Sequence, residues 1–402
     1  MKSRRPEARL EYELARNEAE KVKKEEKIRV WEKIGDDLKA DHAGTKKLLY
    51  SMTKNYRSSA NEQTDAIKDE NGQLLVQPEH IANRWKEYYA DLLNIRGGES
   101  MDEDVDLEPH VDEVIQDISI TELLEAVARM KRGKATGDDH LPVEIVKEAG
   151  EEALRLLLDI MQESYRNESV PQDWQLAVIN PIFKKGDKAL CGNYRGISLL
   201  SHCGKLYSSI IEKRLRTLVE NKLGEWQYGF RPGRSTSDLL FVMKMIMEKS
   251  WEWGRDKFAL FIDMEKAFDC VPRELLWNIM SEPPYSIPKK LIRVIKSIYS
   301  KSMSKLRKGD IETDWFNIET GVRQGDGLSP LLFVIFMDKC IRDTNPRPEH
   351  EVLAYADDVA VTMDRVQELQ DVASAWHSKM KTKGMRINTA KGKTKFMHLS
   401  RN

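Results

Sequence analysis

The decisive stretch of this 402-residue sequence is Val352-Leu353-Ala354-Tyr355-Ala356-Asp357-Asp358-Val359-Ala360-Val361, in which two adjacent carboxylates separate two short apolar runs. Strand-forming residues on both sides of an acidic pair are typical of a β-hairpin with both carboxylates at its tip. Hard divalent cations prefer such oxygen ligands. An Asp-Asp pair in a turn is more commonly a solvated bend, because aspartate suits turns for its own hydrogen-bonding reasons. The interpretation of this pair therefore depends on the rest of the chain.

The composition favours a globular protein with two or three domains or subdomains, since 40% of the residues are hydrophobic and 33% are charged. The net charge of −1 lacks the basic excess that is usual for nucleic-acid-binding proteins. Acidic residues are concentrated at positions 101–106, whereas basic residues gather at 289–308 and 379–395. Each basic run predicts either a local binding surface or a solvated helix face.

The sequence predicts an intracellular protein, cytoplasmic or nuclear, without a membrane partner. No apolar run approaches the roughly 18 residues that span a bilayer, and the N-terminus leads into charged residues and not into an apolar signal core. The four cysteines lack CxxC spacing, which favours buried free thiols over a disulfide scaffold or a zinc site.

Helical and strand patterns alternate along the chain without a detectable repeat. The patterns predict a long exposed helix at residues 9–38, a linker at 97–106, helices at 81–93, 122–130, within 143–166, at 201–220 and at 328–341, and strands at 177–183 and 258–262. Thr121 is the predicted N-cap of the helix at 122–130. Because the strands lie far apart in sequence, we expect an α+β fold, with helices packed on a sheet.

A third acid, Asp263, directly follows the buried strand predicted at residues 258–262. If this strand lies beside the hairpin, Asp263 and Asp357 converge. Two like charges about 4 Å apart then cost on the order of 4 kcal/mol at an effective dielectric constant of about 20. Two Mg²⁺ ions, with Mn²⁺ as a substitute, would remove that cost, and paired ions of this kind serve polymerases and nucleases. Asp358 is expected to act as an outer ligand or a structural acid.

Eight segments in a fixed order make the chain similar to one known family, the reverse transcriptases of non-LTR (LINE-type) retrotransposons. These segments are GKATGDD at 133–139, PIFKKGD at 181–187, NYRGISLL at 193–200, GFRPGRST at 229–236, FIDMEKAFD at 261–269, GVRQGDGLSP at 321–330, YADD at 355–358 and GMRIN at 384–388. The resemblance covers about residues 120–396 and implies an RNA-directed DNA polymerase that takes an RNA template, a DNA primer and dNTPs.

The resemblance also implies a right-hand polymerase fold with an antiparallel palm sheet and packed helices. It divides the chain into a charged helical N-terminal extension at residues 1–60, a connector with an amphipathic helix and an acidic linker at 61–117, fingers at 118–255 and a palm at 256–402. The thumb that follows the palm in this family is expected to be missing. Its absence would weaken binding of the primer and template in a salt-sensitive way.

The family assigns roles to further side chains in the matched segments. Lys184, Lys185 and Arg195 are expected to meet the incoming triphosphate, for which a planar guanidinium is well suited. Gln324 is expected near the templating base and the nucleotide, beside Gly325, which permits close backbone approach. Without the resemblance, the three cations would be ordinary surface bases and residues 321–330 only the entry to a helix. Tyr355 completes the palm motif that contains the acidic pair.

Phe268 stands five residues after Asp263. By resemblance, an aromatic side chain at this position lies beneath the sugar and rejects a 2′-hydroxyl, because a close-packed contact does not accommodate an extra oxygen. The residue thus favours DNA synthesis over RNA synthesis. The alternative interpretation is that Phe268 only packs in the core.

Three lysines, Lys391, Lys393 and Lys395, follow the GMRIN segment, where the family has a lysine that protonates the leaving pyrophosphate as a general acid. An apparent insertion leaves the alignment of the three open, with a slight preference for Lys393.

Three functions remain open at this point. The leading prediction is RNA-directed DNA polymerase activity. The alternatives are a catalytically silent remnant that only binds nucleic acid or protein, and an RNA-directed RNA polymerase. The sequence makes no prediction of the oligomeric state.

Overall fold

Residues 66–94, 116–346 and 350–400 are described by a computed structural model of the chain. All of them belong to one compact unit, Ala66–Asn402. The predicted helix at residues 9–38, the rest of the predicted N-terminal extension and the linker at 97–106 lie outside the described residues. Among the residues described, no helix is long and apolar enough to cross a membrane.

Helices and strands alternate in the mixed order that the sequence predicts. The helices are α1 (Pro78–Leu92), α2 (Ile120–Arg129), α3 (Val143–Lys147), α4 (Glu151–Arg166), α5 (His202–Val219), α6 (Thr236–Glu252), α7 (Arg273–Ser281), α8 (Lys289–Tyr299), α9 (Ser329–Asp343) and α10 (Glu368–Thr382). The strands are β1 (Ile67–Lys68), β2 (Leu74–Leu75), β3 (Leu176–Phe183), β4 (Tyr194–Leu200), β5 (Lys257–Ile262), β6 (Met303–Lys308), β7 (Ile311–Glu312), β8 (Phe316–Asn317), β9 (Glu351–Tyr355), β10 (Asp358–Met363) and β11 (Lys395–Leu399).

The sheet that carries the acidic hairpin is antiparallel and has the strand order β11-β5-β10-β9. Strands β9 and β10 form the predicted hairpin, and β5 pairs with the far side of β10. Strand β5 lies between β11 and β10. This interior position suits its continuous apolar run, Phe258 to Ile262. The expected adjacency of this strand and the hairpin is therefore present in the fold.

A second sheet has the order β4-β3-β6-β7, with β8 paired to β6. Strands β3 and β6 run parallel, whereas the other pairs are antiparallel. Strand β3 comes from the predicted fingers range and β6 from the predicted palm range. The sheet thus joins the two ranges, and the sequence analysis did not foresee β4, β6, β7 or β8.

Helix α9 forms the centre of the hydrophobic core. Its side chains are buried on nearly every side, including Phe333, Phe336 and the charged Asp338. The Asp338 carboxylate accepts hydrogen bonds from the Tyr285 hydroxyl at 2.6 Å and from Arg342 Nε at 2.8 Å. These bonds satisfy a charge that would otherwise be costly to bury. A helix this deeply buried is a rigid base for the sheet packed against it.

Helix α1 is amphipathic, as predicted, and buries Ile81, Trp85 and Tyr89 in a smaller core that includes residues of β3 and β6. Its Tyr88 ring lies 4.4 Å from Lys266 Nζ, which also donates a hydrogen bond to the Tyr88 hydroxyl. This contact ties α1 to the loop that follows β5.

The predicted cap of α2 is wrong by two residues. Ser119, and not Thr121, is the N-cap, because its hydroxyl accepts from the Glu122 backbone while the Glu122 carboxylate accepts from the Ser119 backbone. This reciprocal capping box satisfies two amide groups that a cap at Thr121 would leave without a partner.

Candidate active site

The acidic pair lies at the turn between β9 and β10. Tyr355 and Asp358 pair across the hairpin, so that Ala356 and Asp357 form a two-residue turn. Ala356 has a φ of 57°, in the left-handed region. Asp357 is partly buried, whereas Asp358 is more exposed and Ala356 is buried. The turn therefore presents two carboxylates at one edge of the sheet.

Asp263 lies at the same edge. Val359 of β10 pairs with Ile262 of β5, and continuing this antiparallel register by one residue places Asp358 opposite Asp263. Residues directly opposite each other in an antiparallel pair project to the same face. The three aspartates are thus brought together at the end of β5 and the tip of the hairpin.

A loop from Asn388 to Thr394 wraps around Asp263. The Asn388 side-chain amide donates to Asp263 Oδ2 at 2.8 Å, and the Asn388 backbone amide donates to the Asp263 carbonyl at 2.8 Å. Lys393 Nζ lies 3.3 Å from Oδ2 and 3.4 Å from Oδ1 of Asp263. The Asp263 backbone amide donates to the Thr394 hydroxyl at 3.3 Å. The loop therefore holds the position of this carboxylate and places a positively charged side chain beside it.

Repulsion among the acids affects Asp358. Partial burial raises the pKa of Asp358, and the neighbouring Asp357 and Asp263 raise it further, whereas Lys184 and Lys393 lower it. The three carboxylates are therefore within electrostatic range of one another, and their oxygen atoms suit a hard divalent ion. In the described part of the chain, no group of three acidic, histidine or cysteine side chains is arranged so that it encloses a metal ion. The Lys393 ammonium supplies the positive charge beside Asp263 instead.

The three predicted triphosphate contacts lie on or after β3 and β4. Lys184 follows β3 at an exposed position, and its charge reaches Asp358. Arg195 is an exposed residue of β4 that pairs with Ile182, and its charge lowers the pKa of Asp269. Lys185 is also exposed. The structure thus brings Lys184 and Arg195 within electrostatic range of the acids around the candidate site.

Phe268 is partly buried between two other aromatic residues. Its ring stacks on Phe333 of α9, with centroids 4.2 Å apart, and meets Phe230 edge to face at 6.1 Å. Stacking on a core helix fixes the orientation of the ring. One face of Phe268 therefore belongs to the core, and the residue remains partly exposed.

Gln324 contacts a residue to which the sequence analysis gave no role. Its side-chain amide donates to Asp269 Oδ1 at 2.8 Å, and its backbone carbonyl accepts from the Ser198 backbone amide at 2.7 Å. Burial raises the pKa of Asp269 to about 6, while the Gln324 hydrogen bond lowers it. Gly325 has a φ of 128°, and a Cβ atom there would lie 2.5 Å from the Ser198 carbonyl oxygen. The turn at 324–325 is thus pressed against β4, where only glycine fits.

The three alternative lysines occupy different places. Lys393 contacts Asp263, whereas Lys395 lies on β11 opposite Phe261 and is exposed. Lys391 is an exposed residue of the loop. Of the three, the structure thus shows a contact with the acids for Lys393.

Sequence reasoning missed two residues that hold the site. Asn388 was part of a quoted segment, but no pattern indicated that its amide would bind Asp263. Gln227 is buried at 0% exposure, and its Oε1 atom accepts from the Ala356 backbone at 3.0 Å. Gln227 and Ala356 are 129 residues apart in the sequence, and no local sequence signal links them.

Comparison with known proteins decides the family. The family model described as "Reverse transcriptase (RNA-dependent DNA polymerase)" matches residues 182–401. The chain belongs to the reverse transcriptase family. The matched range of this reverse transcriptase contains the three aspartates and Lys393. Its mixed helices and sheets are accordingly those of a polymerase fold.

Relatives of this reverse transcriptase come from transposons, which confirms the resemblance to the non-LTR type. The Transposon TX1 uncharacterized 149 kDa protein of Xenopus laevis is 26% identical over 352 residues, which are 82% of this chain and 27% of that protein. The probable RNA-directed DNA polymerase from transposon X-element of Drosophila melanogaster is 25% identical over 80% of this chain and 36% of its own length. The RNA-directed DNA polymerase from mobile element jockey of Drosophila funebris is 27% identical over 64% of this chain and 30% of its own length.

The reverse transcriptase described here thus spans about a quarter to a third of the length of these curated relatives. Among solved structures, an apo telomerase from Candida tropicalis, truncated from the C-terminal domain, is similar with a TM-score of 0.43 and 16% identity, over 57% of this chain and 51% of that one.

Proposed function

We propose that this chain is the polymerase part of a non-LTR retrotransposon reverse transcriptase, which extends a DNA primer with dNTPs on an RNA template. The observation that carries the proposal is the convergence of Asp263, Asp357 and Asp358 at one edge of the β11-β5-β10-β9 sheet. Family membership supplies the reaction class.

Asp263, Asp357 and Asp358 would hold the divalent ions that reverse transcriptases use. Two Mg²⁺ ions, or Mn²⁺ in their place, would when bound activate the primer hydroxyl and neutralise the pyrophosphate charge. The raised pKa of Asp358 supports this assignment, because burial and then the neighbouring Asp357 and Asp263 disfavour its charged form, which a bound divalent cation would stabilise. Lys393 now balances the charge of Asp263. When bound divalent ions neutralise Asp263 instead, the ammonium group of Lys393 would be available to donate a proton to the leaving pyrophosphate.

The side chains around the acids would select and orient the nucleotide. Lys184 and Arg195 would bind the triphosphate, since both carry charge toward the acids from β3 and β4. Lys185 is the adjacent exposed base and would add to the same surface. Phe268, fixed by Phe333, would exclude a 2′-hydroxyl by contact with the sugar.

Gln324, Gly325 and Tyr355 would line the path of the template and primer. Gln324 is oriented by its bond to Asp269, and Gly325 lets the backbone approach β4 closely. Tyr355 stands opposite Asp358 in the hairpin. The bond of Gln324 to Asp269 and the pairing of Tyr355 with Asp358 support this proposal.

We further propose that residues 118–255 act as fingers and residues 256–402 as a palm, preceded by a connector at 61–117. The four-stranded sheet with the aspartates supports the palm assignment. The sheet formed by β3, β4 and β6 connects the two parts, so that they share one core. The expected absence of a thumb stays a prediction.

Primer extension tests the proposal. The protein is incubated with an RNA template, an annealed DNA primer, Mg²⁺ and either dNTPs or NTPs, and the products are resolved on a denaturing gel. We expect extension with dNTPs only, and loss of extension in Asp357→Ala. The matched control is Asp364→Ala, which removes a carboxylate just beyond the other end of β10, where it pairs with Lys257 at 2.8 Å.

Each alternative has its own outcome in this experiment. Extension that survives Asp357→Ala would show that the proposed site is wrong. Binding of primer and template without incorporation would indicate the catalytically silent remnant. Preferential incorporation of NTPs would indicate an RNA-directed RNA polymerase, which Phe268 argues against.

A further inference from the structure

The turn that carries Asp357 contains a backbone conformation that its own residue does not favour. Ala356 has a φ of 57°, although its methyl group disfavours the left-handed region. Glycine is the residue that usually occupies such a position in a two-residue hairpin turn. A conformation of this kind persists only where surrounding contacts hold it in place.

The side chain of Gln227 makes those contacts. Its Oε1 atom accepts from the Ala356 backbone amide at 3.0 Å and from the Gly229 backbone amide at 2.8 Å. Its Nε2 atom donates to the Ala356 carbonyl at 3.5 Å. Gln227 thus bonds both backbone polar groups of Ala356. It is fully buried, so that water cannot replace these bonds.

The backbone around Gln227 also lies against the hairpin. The Ala354 amide donates to the Trp226 carbonyl at 2.8 Å, and the Tyr228 amide donates to the Ala354 carbonyl at 2.8 Å. A Cβ atom at Gly229 would lie 2.4 Å from the Ala356 nitrogen. This close approach, which only glycine allows, brings the Gln227 side chain within reach of the turn.

Both ends of this segment are anchored in the core. Asp338 of the buried helix α9 accepts from the Gly224 amide at 2.9 Å. Arg231 donates to the Gly224 carbonyl at 2.8 Å and pairs with Glu220 at 2.8 Å. The segment from Gly224 to Arg231 is therefore a rigid support and not a loose loop.

We infer that Gln227 is a positioning residue for catalysis, which holds Ala356 in the left-handed conformation and thereby fixes the direction of the Asp357 carboxylate. The inference rests on the proposed function, because Asp357 is a catalytic residue only if the chain is a polymerase. The side-chain hydrogen bonds of Gln227 go to the backbone of Ala356 and Gly229 and not to the three carboxylates. It acts through the backbone of the turn, and misplacement of a reacting group by about 1 Å is enough to slow a reaction about a hundredfold.

Gln227→Met tests the inference, since it keeps the length and apolar surface of the side chain and removes the bonds to Ala356. The matched control is Gln175→Met, because Gln175 is also a buried glutamine that is distant in sequence from the hairpin. Its side-chain amide donates to the Ser297 carbonyl at 2.7 Å. We expect Gln227→Met to lower kcat about tenfold or more with little change in KM for dNTP. We expect Gln175→Met to lower the melting temperature alone.

A second substitution distinguishes a positioning role from a merely structural one. Ala356→Gly removes the methyl group that opposes the left-handed conformation, so that it should restore most of the turnover lost in Gln227→Met. It should restore none of the stability lost in Gln175→Met. If Gln227→Met alone does not fold, recovery of folding and turnover in the double variant supports the inference, and failure to recover them overturns it.

Amide hydrogen exchange gives a measurement that does not depend on activity. In the peptide that covers residues 353–361, we expect faster exchange in Gln227→Met than in the unmodified protein, and no change in Gln175→Met. Faster exchange in a protein that never extends a primer would support the role of Gln227 in the turn and overturn the proposed function. Turnover and hairpin exchange equal to those of Gln175→Met would overturn the inference and leave the proposed function intact.

Discussion

The ammonium group of Lys393 lies 3.3 Å from Oδ2 of Asp263, which connects the loop after α10 to the end of β5. Replacing Lys393 should therefore affect the chemistry as well as the position of Asp263. We expect Lys393→Ala to lower the rate of single-nucleotide incorporation about a hundredfold, because a general acid commonly contributes about 10²-fold or more. Lys391→Ala, in the same loop, should leave the rate unchanged. Equal losses in the two variants would contradict the assignment of Lys393.

Phe268 should control the choice of sugar. We expect Phe268→Ala to raise the kcat/KM for NTP relative to dNTP by about tenfold to a hundredfold, since a packed contact discriminates by roughly this amount. The measurement is steady-state incorporation of a ribonucleotide and its deoxy form on the same template. Phe258→Ala is the control, because Phe258 is an aromatic residue at the opposite end of β5 that stacks on His398 at 4.7 Å. If both variants change selectivity alike, Phe268 only packs.

Asp269 should make stability depend on pH. Burial raises its pKa from 3.8 to about 6 in the folded chain. At pH values between these two, the folded state therefore keeps a proton that the unfolded state has lost. The stability from this group is complete below the unfolded pKa and is lost as the pH rises through about 6. Between pH 5 and pH 8 the loss amounts to about 1.4 kcal/mol.

Asp269→Asn should remove that dependence, because an amide has no charge to bury and its oxygen still accepts from Gln324. Urea unfolding at pH 5 and at pH 8 measures the free energy of unfolding of both proteins. The free energy of unfolding of the variant, taken relative to that of the unmodified protein, should be higher at pH 8 than at pH 5. A difference that is the same at both pH values would show that Asp269 is ionised at pH 5.

The turn at Gly325 should not tolerate a side chain. We expect Gly325→Ala to lower the free energy of unfolding by about 1–3 kcal/mol, because its φ of 128° is accessible only to glycine and the new Cβ atom would meet Ser198. Gly327→Ala is the matched control, since a Cβ atom there would meet nothing within 4 Å. Equal effects of the two substitutions would contradict this account.

The elements that bear the aspartates could be predicted because each one has a local signal. Strand β5 is an unbroken apolar run that ends at Asp263, and the hairpin is two apolar runs around the Asp357-Asp358 pair. A charged residue ends each apolar run, so that the predicted ends of these strands are close to the observed ends.

Contacts between distant residues could not be predicted in the same way. The hydrogen bond from Ala356 to Gln227 depends on where two backbones meet, and an isolated glutamine has no pattern that reveals its partner. Strands β7 and β8 have two residues each, too few for any periodicity to appear. The cap at Ser119 could have been found, because a serine three residues before Glu122 is the signature of a capping box.

The position of β11 in its sheet has a consequence for how the protein is made. This strand, Lys395–Leu399, covers one edge of β5 and is synthesised more than 130 residues later. Until it leaves the ribosome, β5 presents an apolar edge that invites pairing with other chains. Pairing over such a separation is also slow. A nascent chain of this kind thus needs protection from aggregation, and its Asp263 gains its contacts with Asn388 and Lys393 only after 125 and 130 further residues have been synthesised.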